Sequence, residues 1–448
     1  MSTRITFHDG IGSIGGTKIT LAADNTTILF DFGFSFDPAN GPWNGAIAPR
    51  PGAAGLRDRI TIGELPRLDG LYRPEEAQTV GLKGAGEAPS PNIFISHLHL
   101  DHIGALDYLD PRVPVYFSPE TLSLLEAVAA TGEKPGVPQN AKALPPHQPL
   151  QVGPFTVTFV PVDHDASGAV AMLIDTPDGT VVYSGDLRLH GAHPELTERF
   201  MELARAKQPK VLFLEGTRLM ENEPEGGWSS IATELNVAEK VSAHLAAYPG
   251  LALITHYNRH PERIARVAAA TKAAGRRLVL SAATAFIYQQ MGYDLAEVGI
   301  YRGANVEAKL AEPWLRKLLA EAPLVLTAAD IRLAPAQYLL ELGPADLPEL
   351  TDLTPPPGSC FIHSNGEPLG PFDPAWQIFL NWLERHQITL VRAGCSGHAT
   401  PPDLHRIAST IAPAVLMPIH SKCPERLDPP GIRRILPSNG ASFDLADL

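Results

Sequence analysis

The chain has 448 residues, 44% hydrophobic and 19% charged, with a formal net charge of −13 and three cysteines. That length exceeds what one core requires and predicts two domains. No apolar run reaches the roughly 18 residues of a membrane span, and Cys360, Cys395 and Cys423 lack CxxC spacing, which excludes a disulfide framework and agrees with a reducing compartment. The acidic balance, taken alone, argues against a nucleic-acid partner, because phosphate binding draws on a basic surface; cations bound at a site would reverse the sign locally.

Met1-Ser2-Thr3-Arg4 leads into a strand rather than a signal peptide, so the expected location is the cytoplasm, with no membrane partner. Ile5–Phe7, Lys18–Leu21 and Thr27–Gly33 alternate apolar and polar residues between Gly- and Asn-rich turns and predict a β-meander. Asp31, at the end of its third strand, is either a turn former or a partner that orients a metal ligand. Residues 34–92 carry no strong periodicity, and so long a connection is either a lid over a site or a peripheral decoration.

Asn92–Ile95 then reads as a short buried strand, followed by His97, His99, Asp101 and His102 on the turn toward a helix. Alternate side chains of an extended segment share a face, so His97 and His99 point one way and the turn swings Asp101 and His102 to a second position. That arrangement suits two adjacent ions. A merely polar surface loop would have to gather three of the chain's 16 histidines into six residues beside a buried strand.

Glu120–Ala130 is expected to be helical and Pro135–Pro149 a connector. Strand Phe155–Val160 runs into His164, and Thr180–Tyr183 into Asp186. Alone, the first would be a satisfied histidine and the second a helix cap. At two successive strand ends both become candidate ligands, since a dinuclear site needs further ligands and a bridging carboxylate.

After Val211–Thr217 the pattern changes. From Ser229 it alternates helix and strand: a helix to about Ala246, strand Leu251–Ile254, helix Pro261–Ala274, strand Arg277–Leu280, helix Val306–Glu321 and strand Leu324–Leu326. That rhythm predicts a parallel sheet in a second domain inserted into the first. Within it, Arg259, Arg263, Arg266, Lys272, Arg276 and Arg277 form either a basic strip for phosphates or a solvated helix face. The chain returns through Thr389–Arg392 to Ser396-Gly397-His398-Ala399, a helix Pro402–Ile411, and Val415–Ser421, and closes on a strand near 441–445.

The loop at 97–102 resembles the H-x-H-x-D-H signature of the metallo-β-lactamase superfamily, which implies an αββα sandwich with metals at one edge. Glu215-Gly216-Thr217, Ser396-Gly397-His398-Ala399 and Pro418-Ile419-His420 resemble, in that order, the three further motifs of the β-CASP nucleases, a group that includes ribonuclease J. The resemblance implies an α/β chain: a metallo-β-lactamase domain of residues 1–215 and 392–448, interrupted by a β-CASP domain at 216–391. The long 34–92 connection departs from the group's pattern, as does a chain that ends close behind the last motif.

Carried over by position, the resemblance implies two divalent ions, zinc or manganese. His97, His99 and His164 would hold one, Asp101, His102 and His420 the other, and Asp186 would bridge them. Asp31 and Glu215 would each orient a ligand histidine. A hydroxide activated by the two ions would attack a phosphodiester, so Asp101 and Asp186 count as catalytic. His398 would contact the scissile phosphate and protonate the leaving oxygen, a task matched to an imidazole. Ser364, Asn365 and Gly366 resemble a phosphate-cradling turn of the insert.

The implied substrate is RNA, with single-stranded DNA as a second polymer that the chemistry admits. Exonucleolytic and endonucleolytic action both remain open, as does the oligomeric state. Two other classes would use the same scaffold: a small-molecule ester or thioester hydrolase, and a catalytically silent nucleic-acid-binding subunit.

Overall fold

The computed structural model describes residues 2–37, 41–43, 47–220 and 231–448. The chain forms two compact units. The first comprises Met1–Ala129, Lys134–Glu223 and Gly397–Leu448, and the second Ala130–Glu133 with the described part of Pro224–Ser396. Against the expected 216–391, the second unit runs on to Ser396 and takes in the four residues at Ala130–Glu133.

Two seven-stranded sheets build the first unit. One is ordered Ser442–Asp444, Arg4–Asp9, Lys18–Ala23, Thr26–Phe30, Asn92–Phe94, Val115–Phe117 and Ala141–Ala143. The other is ordered Arg433–Arg434, Val415–Ile419, Val211–Glu215, Gly179–Tyr183, Val170–Thr176, Phe155–Pro161 and Leu150–Val152. Their inner faces share one core, in which Ile5, Phe7, Ile19 and Phe30 meet Phe159, Met172, Tyr183, Phe213 and Met417. Phe30 stacks on Tyr183 with ring centroids 5.3 Å apart. Each such side chain contributes about 1.5–3 kcal/mol by leaving water.

Val211–Glu215 shows why its sequence reads as an unbroken apolar run. Val211 and Phe213 enter the inter-sheet core, while Leu212 and Leu214 enter a second core with residues of helices Pro194–Ala206 and Pro401–Ile411. A strand covered on both faces has no polar side to alternate. In the first sheet, Leu29 and Ile93, which alternate with core-facing Phe30 and Phe94, are likewise fully buried, as are Leu124, Leu125 and Val128 of helix Pro119–Ala130. The fold of this unit is the αββα sandwich.

The second unit holds a seven-stranded parallel sheet ordered Val325–Leu326, Val298–Tyr301, Arg277–Leu280, Tyr338–Glu341, Ala252–His256, Cys360–Ser364 and Thr389–Arg392. Its two faces bury separate cores. One joins Ile254, Leu278 and Ile300 to Val241, Ile264, Val267 and Tyr288 of the helices; the other joins Leu253, Val279 and Phe361 to Trp376, Phe379 and Leu383. The expected helix from Ser229 is Asn236–Ala247, Ser229 itself lying outside the described residues. The expected helix Val306–Glu321 is two, Ala304–Glu307 and Pro313–Glu321, because Pro313 cannot donate into a continuing helix and starts a new one.

Five of the six cations named above have partners within this unit. Arg263, 1% exposed, donates from Nε and Nη2 to both oxygens of Glu234 at 2.7 and 2.5 Å and to the carbonyl of Cys395 at 3.0 Å. Arg276 donates to the carbonyls of Leu245, Tyr248 and Gly250, Arg259 pairs with Glu133, Arg266 with Glu262, and Lys272 with Glu297. Replacing Glu234 by alanine would leave a buried, uncompensated guanidinium, and is expected to cost about 3–5 kcal/mol in chemical denaturation.

Candidate metal centre

The sequence-predicted site residues of the first unit lie at strand ends or on the segments that follow them. Asn92–Phe94, paired in parallel with Thr26–Phe30 and Val115–Phe117, leads to His97 and His99; the helix Leu100–Ile103 then carries Asp101 and His102. His164 follows Phe155–Pro161, Asp186 follows Gly179–Tyr183, Glu215 ends Val211–Glu215, and His420 follows Val415–Ile419. Two close approaches press the metal loop into place. The amide of Phe32 donates to His102 O at 2.8 Å, and a Cβ on Gly33 would stand 2.0 Å from the carbonyl of Asp101, so only glycine fits there.

The side chains converge as three groups with one shared member, Asp186, and the third joins it to Glu215 and His398. His97, His99, His164 and Asp186 form the first, and Asp101, His102, Asp186 and His420 the second; within each, the potential ligand atoms all lie within 4.8 Å of one another. Asp186 Oδ2 is 3.1 Å from His102 Nε2, 3.5 Å from His420 Nε2 and 3.7 Å from His97 Nε2. Asp101 Oδ2 and His102 Nε2 each stand 3.1 Å from His420 Nε2, and His164 Nε2 is 3.2 Å from His99 Nδ1.

The far side of each ring is held. His102 Nδ1 lies 2.7 Å from Asp31 Oδ2, His164 Nδ1 donates to Gly397 O at 2.7 Å, His420 Nδ1 meets Thr217 Oγ1 at 2.8 Å, and His97 Nδ1 meets Ser96 Oγ at 3.0 Å. These four rings therefore present Nε2 to the centre, whereas His99 turns Nδ1 toward His164 and has Nε2 3.5 Å from Asp165 Oδ1. Fully buried Asp31 also accepts from Ser96 N at 2.7 Å and from the Tyr183 hydroxyl, so its carboxylate is fixed as a partner of His102.

These residues fit divalent cations. His97 Nε2 is buried with no hydrogen-bond partner among the described residues, a costly state for a polar atom unless a cation takes its lone pair. Burial first, then the neighbouring imidazoles His102, His164 and His99, hold His97 far below the usual imidazole range, in the neutral form that ligates metal. Burial likewise brings His164 down to about 3. His102 goes the other way: burial lowers it, but Asp186, Asp101 and Asp31 outweigh burial and raise it. Three imidazoles with a shared carboxylate, beside a mixed His/Asp set, make a donor set for zinc or manganese.

His398 belongs to neither four-residue group and shares the third with Asp186 and Glu215. Its Nδ1 lies 3.4 Å from Glu215 Oε1 and 3.8 Å from Asp186 Oδ2. Burial lowers its pKa, but Glu215 above all, then Asp186 and Asp165, outweigh burial and push it up to about 9. Glu215, expected to orient a ligand histidine, faces His398 instead and accepts from Thr217 N at 2.8 Å. The place on His420 belongs to Thr217 Oγ1.

The family model described as Beta-lactamase superfamily domain matches residues 75–257. The chain is 29% identical to ribonuclease J of Sinorhizobium meliloti over 344 residues, covering 74% of this chain and 57% of that protein. Ribonuclease J of Thermus thermophilus is 27% identical over 211 residues, 45% of this chain and 36% of the relative. Among solved structures, a protein of unknown function from Enterococcus faecalis is 32% identical, with 99% of this chain and 100% of that one covered at a TM-score of 0.81.

The chain belongs to the metallo-β-lactamase superfamily. Within it, the chain is a β-CASP, ribonuclease J-like protein, and it spans 57% or less of the length of these two curated relatives. The His/Asp cluster and the superfamily together point to divalent-metal binding.

Of the residues expected to touch phosphate, His398 belongs to the first unit and Ser364, Asn365 and Gly366 to the second. Ser364 is fully buried and its hydroxyl donates to Ala393 O at 2.7 Å, so that side chain is spent on the fold. Asn365 has φ +64, and a Cβ on Gly366 would lie 2.0 Å from Thr255 Oγ1; these two residues make the turn.

The long connection of this metallo-β-lactamase unit holds helices Ala53–Thr61 and Pro74–Ala77; residues 38–40 and 44–46 lie outside the described residues. Its first residues contact the loop at Ile14 and Lys422, two residues beyond His420. Phe36 N donates to Ile14 O at 2.7 Å, Asp37 lies 3.6 Å from Lys422 Nζ, and the Arg59 guanidinium sits 3.9 Å above the Phe34 ring. Hydrophobic periodicity does not register these contacts, which rest on one backbone bond, one aromatic ring and one acid.

Proposed function

We propose that the chain is a metal-dependent nuclease that hydrolyses phosphodiester bonds of RNA, with two divalent ions held at the His/Asp centre. The observation that carries this reading is the shared position of Asp186, whose carboxylate stands in both ligand groups. His97, His99 and His164 would hold one ion, and Asp101, His102 and His420 the other. When bound, such a pair acidifies water and offsets charge developing on the phosphoryl oxygens.

The chain's own groups supply the rest. Glu215 faces His398 Nδ1, which leaves Nε2 to meet the scissile phosphate and give a proton to the departing oxygen as the phosphorus–oxygen bond breaks. Asp31 fixes His102, Thr217 fixes His420, and the Gly397 carbonyl fixes His164, so the ligands are set before substrate arrives. Attack by water at phosphorus needs no 2′-hydroxyl, so single-stranded DNA is a chemically admissible substrate. RNA is favoured because the curated relatives are ribonucleases J. The proposed setting is the cytoplasm.

Metal titration tests the reading. Chelated protein is expected to lose cleavage of labelled RNA, and zinc or manganese added back is expected to restore it, saturating near two equivalents per chain. Restored hydrolysis of thioesters or lactones with RNA left intact would replace the nuclease by a small-molecule hydrolase. RNA binding with no hydrolysis of any kind would leave a silent subunit.

A further inference from the structure

We propose that the buried ion pair of Lys18 and Asp9 braces one half of the metal centre, the half formed by Asp101 and His420, through the glycine-rich loop at 10–17. The proposal deepens the reading above and rests on Asp101 and His420 being ligands of one ion.

Lys18 has no exposed surface, although an ammonium is among the costliest groups to bury. Its Nζ lies 3.2 Å from Asp9 Oδ2 and donates to Gly16 O at 3.0 Å. The pairing of strands Arg4–Asp9 and Lys18–Ala23 shifts register between Phe7 and Asp9, and this irregularity sets Asp9 opposite Lys18. Asp9 Oδ1 in turn accepts from Gly10 N at 2.8 Å.

The loop that the pair closes has little stiffness of its own. Gly10, Gly12, Gly15 and Gly16 all have φ between +67 and +88, a conformation that glycine adopts freely and as freely leaves. Both ends of this loop touch a proposed ligand. Gly10 O accepts from the amide of His420 at 3.1 Å, and Gly16 N donates to the carbonyl of Asp101 at 2.9 Å. The Asp101 carboxylate packs against Gly15 so closely that a Cβ there would stand 2.3 Å from Oδ2. Asp9 fixes the first end of the loop and Lys18 the second, so neutralising the pair frees the backbone against which both ligands rest. His97 is held by Ser96 and His164 by Gly397 O, contacts that do not pass through the loop. Lys18 is therefore a positioning residue for one ion of the two.

The test is zinc binding to the full chain, measured by competition with a chelator of known affinity, beside the folding of the metal-free protein by circular dichroism. Lys18→Met is expected to bind its tighter or weaker first-group ion as the wild type does, and to bind the second-group ion about 10–100-fold more weakly. Should Lys18→Met not fold, the double variant Asp9→Asn with Lys18→Gln, which leaves no buried charge unpaired, takes its place and is expected to show the same selective loss. A folded variant that keeps both zinc affinities of the wild type overturns the brace while leaving the two-ion reading intact. A wild-type protein that takes up fewer than two equivalents overturns that reading, and the brace with it.

Discussion

Alanine at His398 is expected to slow RNA hydrolysis by about 10²–10⁴-fold, the usual contribution of a positioned proton donor, while the protein keeps its wild-type metal content. His398 lies outside both four-residue ligand groups, and its Nδ1 faces Glu215 and Asp186 across 3.4 and 3.8 Å. Its removal therefore withdraws a proton donor without opening either ion position. Glutamine at Glu215 is expected to act in the same direction but less strongly, because the imidazole would remain and lose only the carboxylate that holds it protonated. Single-turnover rates measured beside the metal content of the same samples separate the two roles. A His398→Ala protein that loses its metal in parallel with its rate would make His398 a ligand rather than a proton donor, and an unchanged rate would remove it from the chemistry.

Asparagine at Asp186 is expected to have the larger effect, lowering the rate by more than about a thousandfold, beyond the loss of a single stabilising donor, and weakening both ions together. The carboxylate is 2% exposed and shared by the two groups, so the change withdraws one negative charge from between five histidines without altering shape. Burial raises its pKa, but His420, His102 and His398 outweigh burial and hold it far below the usual carboxylate range, ionised at neutral pH. Asparagine has no such charge, so positive charge gathered at the imidazole nitrogens of His102 and His420, 3.1 Å apart, would lose its compensating anion. Metal content that falls for only one of the two ions would show that Asp186 serves a single position.

Much of the centre is legible in the sequence because its ligands are local. His97, His99, Asp101 and His102 fall within six residues, and His164, Asp186 and His420 follow apolar strands whose ends are readable. The partners that orient those rings are not local. Thr217 lies 203 residues from His420 and Gly397 lies 233 residues from His164, and a carbonyl or a lone hydroxyl leaves no pattern in a sequence. Glu215 was readable as a motif residue, but which histidine it faces depends on the packing of strand ends.

The sandwich rests on the same division. Alternation marks its first three strands, whereas the αββα arrangement came from the resemblance of the motifs rather than from periodicity. In the second unit the βαβ rhythm is visible, yet Tyr338–Glu341, which lies between Arg277–Leu280 and Ala252–His256, carries four residues, too few for a period, and follows a proline. Arg263 shows the opposite failure. A guanidinium on an amphipathic helix reads as solvated, and only the burial of Glu234 beside it turns it into part of the core.

The most direct measurement of the central claim is a time course on 5′-labelled single-stranded RNA with the zinc- or manganese-loaded wild type in excess, run beside Asp186→Asn. We expect the wild type to convert the RNA to shorter products whose sizes report stepwise trimming or internal cutting, and the variant to leave it intact over the same interval. RNA left whole by the loaded wild type with either metal, or cut equally by both proteins, would contradict the assignment of this centre to phosphodiester hydrolysis.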